Sequence, residues 1–492
     1  MKFLRIASRQ YFDKINCCRG SISDGCCSDK GQDVYMKKIR FFIALWAAKL
    51  ARFLLKLLGR NASYLPGEVA LKISKDFLGH LTLPEKVICV TGTNGKTTVS
   101  NLLTSILTKN GYRVTNNSFG SNVQAGVAAA LLADSNIFGK SKKDIAVLEV
   151  DERSSLLVYP YIKPDYLIVN NIMRDSIKRN AHTGFIDFII TSALPETTKL
   201  VLNGDDMITS NLAPQCKSRI YFGLDAEKPE VSEKPFLSDI VYCPDCGARL
   251  ESEYLRYNHI GRMYCPSCGK KSPERDYLCI SVDRENSKFT VSLKGKEHTF
   301  NLINDNIVNI FNFTGAIAIL TEIGLSVSQI EKGFSQSEIV KSRFDTLKAG
   351  KLDVTFIMAK GQNPIACARC FSYAASIEKE NKLLLIDIDD LHDNINQSES
   401  TCWLYDCDYS YLADDSISEI IFTGPRCRDQ LLRALLAGVD KNKIILEPDV
   451  SKAVGLINTE KYKDVIVLYE LYRQPDADKM KIQFKSLGEG TK

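Results

Sequence analysis

A glycine-rich segment between a predicted strand and a predicted helix constrains the fold of this chain more than any other feature. The apolar run KVICVTG (86–92) predicts a buried strand, and VSNLLTSILTKNG (99–111) has the periodicity of a helix. Between them lies TGTNGKTT (91–98). Gly92 and Gly95 let the backbone fold closely around an anion, and the following helix N-terminus directs N–H groups at it. This order predicts a phosphate-binding loop in a helix-covered sheet.

The loop residues have distinct predicted roles. Lys96 is expected to neutralise the outer phosphates of ATP, and the Thr97 hydroxyl to hold Mg²⁺. The remaining nucleotide-binding residues of the loop are Gly92, Thr93, Asn94, Gly95 and Thr98. The glycine spacing is shorter than in the usual phosphate-loop pattern, so a turn without a ligand is the alternative interpretation.

A cluster of acidic residues at the end of another predicted strand supplies a partner for the metal. In LEVDE, Glu149 lies near the end of the apolar run 145–150, and Asp151 and Glu152 follow that run. Strand alternation places Glu149 and Asp151 on one face, and Glu149 is the preferred Mg²⁺ ligand. The alternative is a set of solvated carboxylates at a strand end.

The remaining apolar runs predict an α/β fold. DYLIVNN (165–171) and KLVLNGDD (199–206) also end in polar residues and alternate with helical segments. This alternation favours a parallel sheet whose ligands gather at the carboxyl ends of its strands. After Arg343 a second α/β unit is predicted from five further runs, KLDVTFIM, KLLLIDID, EIIFTG, KIILEPD and DVIVLYE.

Four cysteines in an inserted segment, 240–272, have the spacing of a metal site. They form two C-x₂-C pairs, each followed at once by glycine: Cys243, Cys246, Cys265 and Cys268. Four thiolates around Zn²⁺ leave no position for water, so a structural zinc ribbon is predicted. The isolated pair Cys367 and Cys370 is given no metal or redox role.

Charge and cysteine content exclude other classes of function. A net charge of +5, from 64 basic and 59 acidic residues, is spread along the chain and gives no reason to expect nucleic acid. Sixteen cysteines would suggest disulfides in a small secreted protein, but the first 35 residues lack the apolar central run of a signal peptide. A reducing cytoplasmic location is therefore expected.

The N-terminal region changes character at Met36. Residues 1–35 lack apolar periodicity and are expected to be a disordered tail. The basic, apolar stretch after Met36 is interrupted by Lys49, Arg52 and Lys56, too often for a bilayer-spanning segment. An amphipathic helix and a linker are therefore predicted.

Two environments for this helix stay open. It either packs on the body of the protein or contacts the inner membrane surface through Lys37, Lys38 and Arg40. The second possibility extends the expected location to the inner face of the plasma membrane.

Several segments together resemble a known family. TGTNGKTT resembles the nucleotide loop of Mur ligases and folylpolyglutamate synthetases. The closer resemblance, from about Met36 to the C-terminus, is to the MurT family, the ATP-binding subunits of lipid II isoglutaminyl synthases. The segments that carry it are KLARFLLKLLGR, NNIMRDSIKR, LVLNGDD and the four-cysteine insertion, which ordinary Mur ligases lack.

The resemblance implies a domain organisation. Residues 36–80 hold the helix and linker, and 81–343 form a Mur ligase-type ATP-binding domain with a parallel sheet and the inserted zinc ribbon. Residues 344–492 form a C-terminal α/β domain that docks a glutaminase subunit similar to GatD, as a heterodimer. The implied reaction is ATP-dependent amidation of the D-Glu α-carboxyl group of lipid II, through an acyl phosphate, with ammonia from glutamine.

The resemblance also assigns residues. Asn122 matches a family asparagine near the substrate or phosphate, and Arg174 and Asp175 match its Arg-Asp pair. Asn309 and Asn312 match asparagines of a helix that is expected to contact the adenine.

Two further residues are assigned from the C-terminal half. Arg343 matches an arginine that reaches the nucleotide phosphates. Asp393 matches an aspartate that completes the catalytic triad of the partner glutaminase and orients its histidine. Gln397 and Ser400 stand where the family pattern has aspartates, so this chain is a divergent member. The alternatives are a ligase that adds an amino acid and a nucleotide-binding partner protein without ligase activity.

Overall fold

In the computed structural model, which describes most of the chain, the strands form two open sheets and one small hairpin. The described residues are 29–117, 121–175, 180, 182–226, 236–337, 344–359, 363–377, 379–388 and 401–489. Residues 1–28 of the predicted tail, Arg343 and Asp393 lie outside these ranges.

The larger sheet has nine strands in the order β11-β10-β9-β6-β5-β4-β1-β3-β2. Strands β1 to β6 are all parallel, and β9 is parallel to β6. Strands β10 and β11 form an antiparallel edge. Strands β7 and β8 form the separate hairpin. The bounds are β1 Lys86–Thr91, β2 Val114–Asn116, β3 Ile145–Glu149, β4 Tyr166–Val169, β5 Lys199–Asn203, β6 Arg219–Leu224, β7 Glu251–Tyr257, β8 Ile260–Tyr264, β9 Tyr277–Asp283, β10 Lys288–Leu293 and β11 Lys296–Asn301.

Helices cover both faces of this sheet, as the predicted α/β fold requires. Ile88 and Val90 of β1 belong to one core cluster, whereas Val87 and Cys89 belong to the other. This alternation follows from the two-residue period of a strand and confirms a sheet buried on both faces. The helices of this part are α1 Asp29–Leu57, α2 Leu65–Ile73, α3 Lys96–Lys109, α4 Gln124–Ala133, α5 Ser155–Val158, α6 Thr183–Ala193, α7 Met207–Ser210, α8 Ile307–Glu322 and α9 Val327–Ser335.

The N-terminal helix is part of the main body. The helix, predicted from Met36, is already formed at Asp29, and its Ala44, Leu45 and Ala48 side chains are fully buried in one of the two core clusters. The prediction of a linker directly after it is wrong from Leu65 onward, because α2 begins there. The proline that follows Leu65 suits a first helical turn, where its missing N–H has no partner to lose.

The smaller sheet has six strands in the order β12-β13-β17-β14-β15-β16, and all neighbouring pairs except β12 with β13 are parallel. The five predicted strands of this unit are confirmed, with β12 as an additional edge strand. The bounds are β12 Phe344–Ala349, β13 Leu352–Met358, β14 Lys382–Asp387, β15 Ile417–Thr423, β16 Ile444–Glu447 and β17 Asp464–Tyr469, with helices α10 Pro364–Ser376, α11 Trp403–Asp406, α12 Cys427–Leu436, α13 Val450–Ala453 and α14 Gln474–Glu489.

A close helix crossing at Gly67 tests this packing. A Cβ atom on Gly67 of α2 would lie 1.8 Å from the Ala125 carbonyl oxygen of α4. Gly67→Ala is therefore expected to lower the free energy of unfolding by about 2 kcal/mol, since the two helices must separate. Urea unfolding followed by circular dichroism measures the effect. Gly455→Ala is the control, because a Cβ atom there has open space; equal stability of both variants would contradict the packing.

Candidate active site

The phosphate loop has the backbone conformation that its glycines predict. Gly92 and Gly95 have φ angles of +122° and +86°, a region that side chains with a Cβ atom disfavour. A Cβ atom on Gly95 would also lie 2.2 Å from the Asn312 Oδ1 atom and 2.8 Å from the Asn170 Nδ2 atom. Neither glycine can be replaced without moving the loop.

Hydrogen bonds fasten the loop to the segment that follows β4. The Thr93 and Asn94 N–H groups donate to the Asn171 carbonyl and side-chain oxygens at 2.9 and 3.0 Å. The Thr93 hydroxyl donates to the Met173 carbonyl at 3.0 Å, and the Met173 N–H donates to that hydroxyl at 2.9 Å. These contacts hold the loop and the start of α3 at the carboxyl edge of the sheet. Asn171 and Met173 were not predicted; the polar end of DYLIVNN was the available signal.

Lys96 lies in the first turn of α3 and points back over the loop. Its ammonium group donates to the Gly92 carbonyl at 2.6 Å and to Glu152 Oε1 at 3.0 Å. Burial alone would lower the pKa of Lys96, but the charge and hydrogen bond of Glu152 raise it above its usual value. A permanent positive charge is thus held at the phosphate loop.

Glu149 and Thr97 lie together, as the sequence predicts for a Mg²⁺ site. The Thr97 hydroxyl donates to Glu149 Oε2 at 2.9 Å, and the Asn122 amide donates to Glu149 Oε1 at 3.2 Å. Glu149 is 7% exposed and ends β3, beside the loop strand β1. Asp151 instead caps a short 3-10 turn through the Arg153 N–H. The oxygen atoms of Thr97 and Glu149 are ligands of the kind that Mg²⁺ prefers.

Asparagines on the other side of the loop offer unused acceptors. Asn312 in α8 is 2% exposed, and its Nδ2 atom donates to Asn309 Oδ1 at 3.3 Å. Within the described part of the chain, the Asn312 Oδ1 and Asn170 Oδ1 atoms are buried without a hydrogen-bond partner. A buried acceptor without a partner is costly unless a ligand supplies the donor. An amino group of a nucleotide base has the donor that these oxygens lack.

Arg174 forms ion pairs with aspartates from two other parts of the chain. Its guanidinium donates to Asp239 Oδ1 at 2.5 Å and to Asp406 Oδ2, in α11 of the smaller sheet's unit, at 3.3 Å. Near the loop, the Asn363 amide donates to Asn94 Oδ1 at 3.4 Å. The C-terminal unit therefore contacts both the phosphate loop and the segment after β4.

A buried ion pair joins the β7–β8 hairpin to the same segment. His259 is fully buried, and its Nε2 atom donates to Asp206 Oδ1 at 3.0 Å, with Asp239 Oδ2 3.7 Å from Nδ1. The second oxygen of Asp206 accepts the Ile172 N–H at 2.8 Å. Burial lowers the pKa of His259, but the charges of Asp206 and Asp239 outweigh it and raise the pKa above its usual value. This link was not predicted, because no motif in the sequence singles out His259.

The four cysteines of the insertion converge. The Cys243 and Cys268 sulfurs are 3.6 Å apart, and the Cys246 and Cys265 sulfurs are 3.5 Å apart. All four sulfurs lie within 4.8 Å of one another. A tetrahedral Zn–S bond of about 2.3 Å gives sulfur separations of roughly 3.8 Å, close to these values. Cys367 is instead buried in the C-terminal core.

The comparisons with known proteins agree with this geometry. The model of the Mur ligase middle domain matches residues 90–319, and that of the MurT ligase C-terminal domain matches residues 361–472. Over 440 residues, 88% of this chain and 96% of the relative, the sequence is 31% identical to the "Lipid II isoglutaminyl synthase (glutamine-hydrolyzing) subunit MurT" of Staphylococcus aureus strain COL. The subunit of the same name from Streptococcus pneumoniae strain ATCC BAA-255 / R6 is 30% identical over 87% of this chain and 93% of its own length.

A solved structure shows the same fold. The pseudomurein peptide ligase type C from Methanothermus fervidus superposes with a TM-score of 0.60 at 20% identity, over 85% of this chain and 81% of that one. Mur ligase-like architecture is thus present in this chain.

Replacing His259 tests the buried ion pair. His259→Leu is expected to lower the free energy of unfolding by about 3 kcal/mol, because Asp206 would stay buried without its cation, whereas Asp239 keeps Arg174. Since the folded-state pKa of His259 is raised above the 6.5 of a free side chain, its contribution is complete below pH 6.5 and falls as the pH rises through the folded-state value.

The measurement is urea unfolding at pH 6 and pH 9. The difference between wild type and His259→Leu should be larger at pH 6, and His298→Leu, on the edge strand β11, should change stability little at either pH. A difference that grows toward pH 9 would show that His259 is not held as a cation.

Proposed function

Because the chain belongs to the MurT family, we propose that it is the ATP-using subunit of an enzyme that amidates the D-Glu α-carboxyl group in the stem peptide of lipid II. This reaction is part of peptidoglycan biosynthesis. The observation that carries the proposal is the position of the phosphate loop between Glu149 and two buried asparagines, Asn170 directly after β4 and Asn312 in α8.

The loop suits the triphosphate of ATP. Lys96 and the N–H groups at the start of α3 provide positive charge where phosphates would lie, and no side-chain cap occupies that helix start in the described structure. Asn309 and Asn312 are the proposed adenine contacts, and Arg343 is proposed to reach the phosphates. When ATP binds, its phosphates compete with Glu152 and the Gly92 carbonyl for the Lys96 ammonium.

Mg²⁺ is the proposed metal at Thr97 and Glu149. When bound, it supplies positive charge that balances the transferring phosphoryl group. Asn122 orients the Glu149 carboxylate by donating to one of its oxygens, which leaves the other oxygen facing Thr97.

The chemistry requires two displacements. A carboxylate oxygen of D-Glu attacks the γ-phosphorus of ATP, ADP leaves, and an acyl phosphate forms. Ammonia then attacks the carbonyl carbon, loses a proton and expels inorganic phosphate, which leaves the amide of D-isoglutamine. Lys96 and the loop N–H groups stabilise the charge on the phosphoryl oxygens during the first step.

A glutaminase similar to GatD is the proposed source of ammonia. The C-terminal unit is proposed to dock it, and Asp393 is proposed to complete its catalytic triad. Contacts of that unit with the ATP site, Asn363 with Asn94 and Arg174 with Asp406, support delivery of ammonia to the acyl phosphate, since they bring both units to the same edge.

A structural Zn²⁺ in the four-cysteine cluster completes the proposal. Four sulfur ligands leave no open position, so the ion would stabilise the insertion without taking part in the reaction. The hairpin it stabilises carries His259, whose ion pair with Asp206 supports the segment that holds the loop.

The test is transfer of the amide nitrogen. The chain, purified with its partner glutaminase, is incubated with lipid II, ATP and amide-¹⁵N glutamine, and the product is analysed by mass spectrometry. We expect one ¹⁵N-labelled amide per D-Glu and one ADP per product. Incorporation of an amino acid without glutamine would identify a ligase of the other kind, and ATP binding without product would identify a partner protein without ligase activity.

Lys96→Ala is expected to reduce ATP turnover by about 1,000-fold or more, because one phosphate-stabilising charge is removed at the site of transfer. Lys109→Ala, at the other end of α3, is the matched control and should keep turnover. Docking of the glutaminase should be unchanged in both variants. Retained turnover in Lys96→Ala would remove Lys96 from the site.

Asp393→Asn tests the proposed triad. Glutaminase activity of the complex should fall by about 100-fold or more, because the partner's histidine loses its orienting carboxylate. Amidation with added ammonium chloride should persist, since the ATP site is untouched. Asp415→Asn, at an exposed position of the same unit, is the control. Unchanged glutaminase activity in Asp393→Asn would exclude this role.

A further inference from the structure

The outer face of α1 is apolar and exposed. Trp46, Leu50 and Phe53 are 54%, 58% and 59% exposed, whereas Ala44 and Leu45 are fully buried. Further exposed apolar residues of this helix include Ile39, Ile43, Leu54 and Leu57. At 3.6 residues per turn all seven fall within an arc of about 100°, opposite the buried side.

A neighbouring loop extends this face. Ile137 and Phe138, after α4, are 61% and 66% exposed. The Trp46 Nε1 atom donates to the Ile137 carbonyl oxygen at 3.0 Å, so the loop tip lies against the helix. Together these residues form one apolar patch, here called the α1 patch. Contiguous patches of this kind mark interaction sites.

The charged residues between positions 34 and 67, in α1 and next to it, have one sign. From residue 34 to residue 67 the chain has no Asp or Glu and seven basic residues: Lys37, Lys38, Arg40, Lys49, Arg52, Lys56 and Arg60. On a helix of 100° per residue, Lys38 and Lys56 lie between the apolar arc and the buried side, with Arg40 on the opposite flank. Basic side chains that flank an apolar arc are typical of helices lying in a membrane interface.

We propose that the α1 patch binds the surface of a bilayer that contains anionic lipids. Each apolar side chain of the arc would enter the interface, and the flanking basic groups would contact the lipid phosphates. Two copies of the patch would bring Lys38, Arg40 and Lys56 of one copy close to the same groups of the other, which disfavours self-association. Among the described residues, no helix combines the length and hydropathy that a crossing of the bilayer needs.

The position of α4 connects this surface to the ATP site. Near its C-terminal end, the Leu132 carbonyl accepts a hydrogen bond from Lys49 of α1 at 3.0 Å. At its other end, α4 begins two residues after Asn122, the amide donor to Glu149. A helix of this length is about 15 Å long. Contact of α1 with lipid would therefore hold the site near the membrane, which suits a lipid-linked substrate if the proposed function is correct; the contact itself does not depend on that function.

The test uses the full chain and Trp46 as a probe. Trp403→Phe leaves Trp46 as the single tryptophan, since the chain has two. Vesicles of equal parts phosphatidylglycerol and phosphatidylcholine should shift Trp46 emission to shorter wavelength and carry the protein in flotation. Pure phosphatidylcholine vesicles, or 0.5 M salt with the mixed vesicles, should weaken binding.

The decisive variant is Leu50→Glu with Phe53→Glu, which should weaken vesicle binding by about tenfold or more. Its matched control is Ile482→Glu with Leu436→Glu, at residues 66% and 65% exposed on the C-terminal unit. Both variants should retain the wild-type unfolding transition, because all four side chains are exposed.

Three outcomes would overturn the proposal: no binding of the wild type to the mixed vesicles, equal binding of the Leu50→Glu/Phe53→Glu variant, or equal binding to neutral vesicles. A dimer in vesicle-free solution that this variant dissolves, without vesicle binding by the wild type, would assign the patch to a second copy of the chain. The assay needs no turnover, so its failure leaves the amidation proposal unaffected, and Lys96→Ala should bind vesicles normally.

Discussion

Hydrogen bonds between Thr93 or Asn94 and the segment 171–173 fix where the phosphate loop lies. A loop with two glycines in the left-handed region has many conformations in isolation, and the attachment to β4 selects one. Once it is selected, the start of α3 faces the carboxyl edge of the sheet. Lys96 then contacts Glu152, and Thr97 contacts Glu149, because Glu149 is the last residue of the neighbouring strand β3 and Glu152 follows it.

The segment 171–173 is in turn held by a chain of hydrogen bonds and ion pairs. The Ile172 N–H donates to Asp206, which is paired with His259. Asp239 lies on the other side of the His259 ring and accepts a hydrogen bond from Arg174. All of these carboxylates are almost fully buried, so each depends on its cation to offset the loss of hydration. The β7–β8 hairpin and the C-terminal unit thus support the ATP site through charge pairs.

Sequence reasoning succeeded where a local pattern carries its own chemistry. The loop, its strand and helix, the four converging cysteines and the Glu149–Thr97 pair all follow from spacing and strand alternation. It failed where a role depends on partners distant in the chain. Nothing near Arg174 indicates that Asp406 lies within 3.3 Å, and nothing near His259 indicates Asp206, 53 residues away. The linker was mistaken at Leu65 because a proline signals both a turn and a first helical turn.

The N-terminal helix α1 has a buried side that packs in the core and an exposed side that faces solvent. Its buried side is ordinary core, in which Ala44 and Ala48 allow close approach, and Gly67 of α2 lets α4 approach to a distance that excludes a Cβ atom. That packing fixes the position of α4. The helix begins two residues after Asn122, whose amide donates to the Glu149 carboxylate. The side of α1 turned to solvent serves no such purpose, since the seven apolar side chains of its outer arc do not belong to the core cluster beside the sheet. An apolar surface of that extent costs free energy in water, which an apolar environment outside the chain would recover.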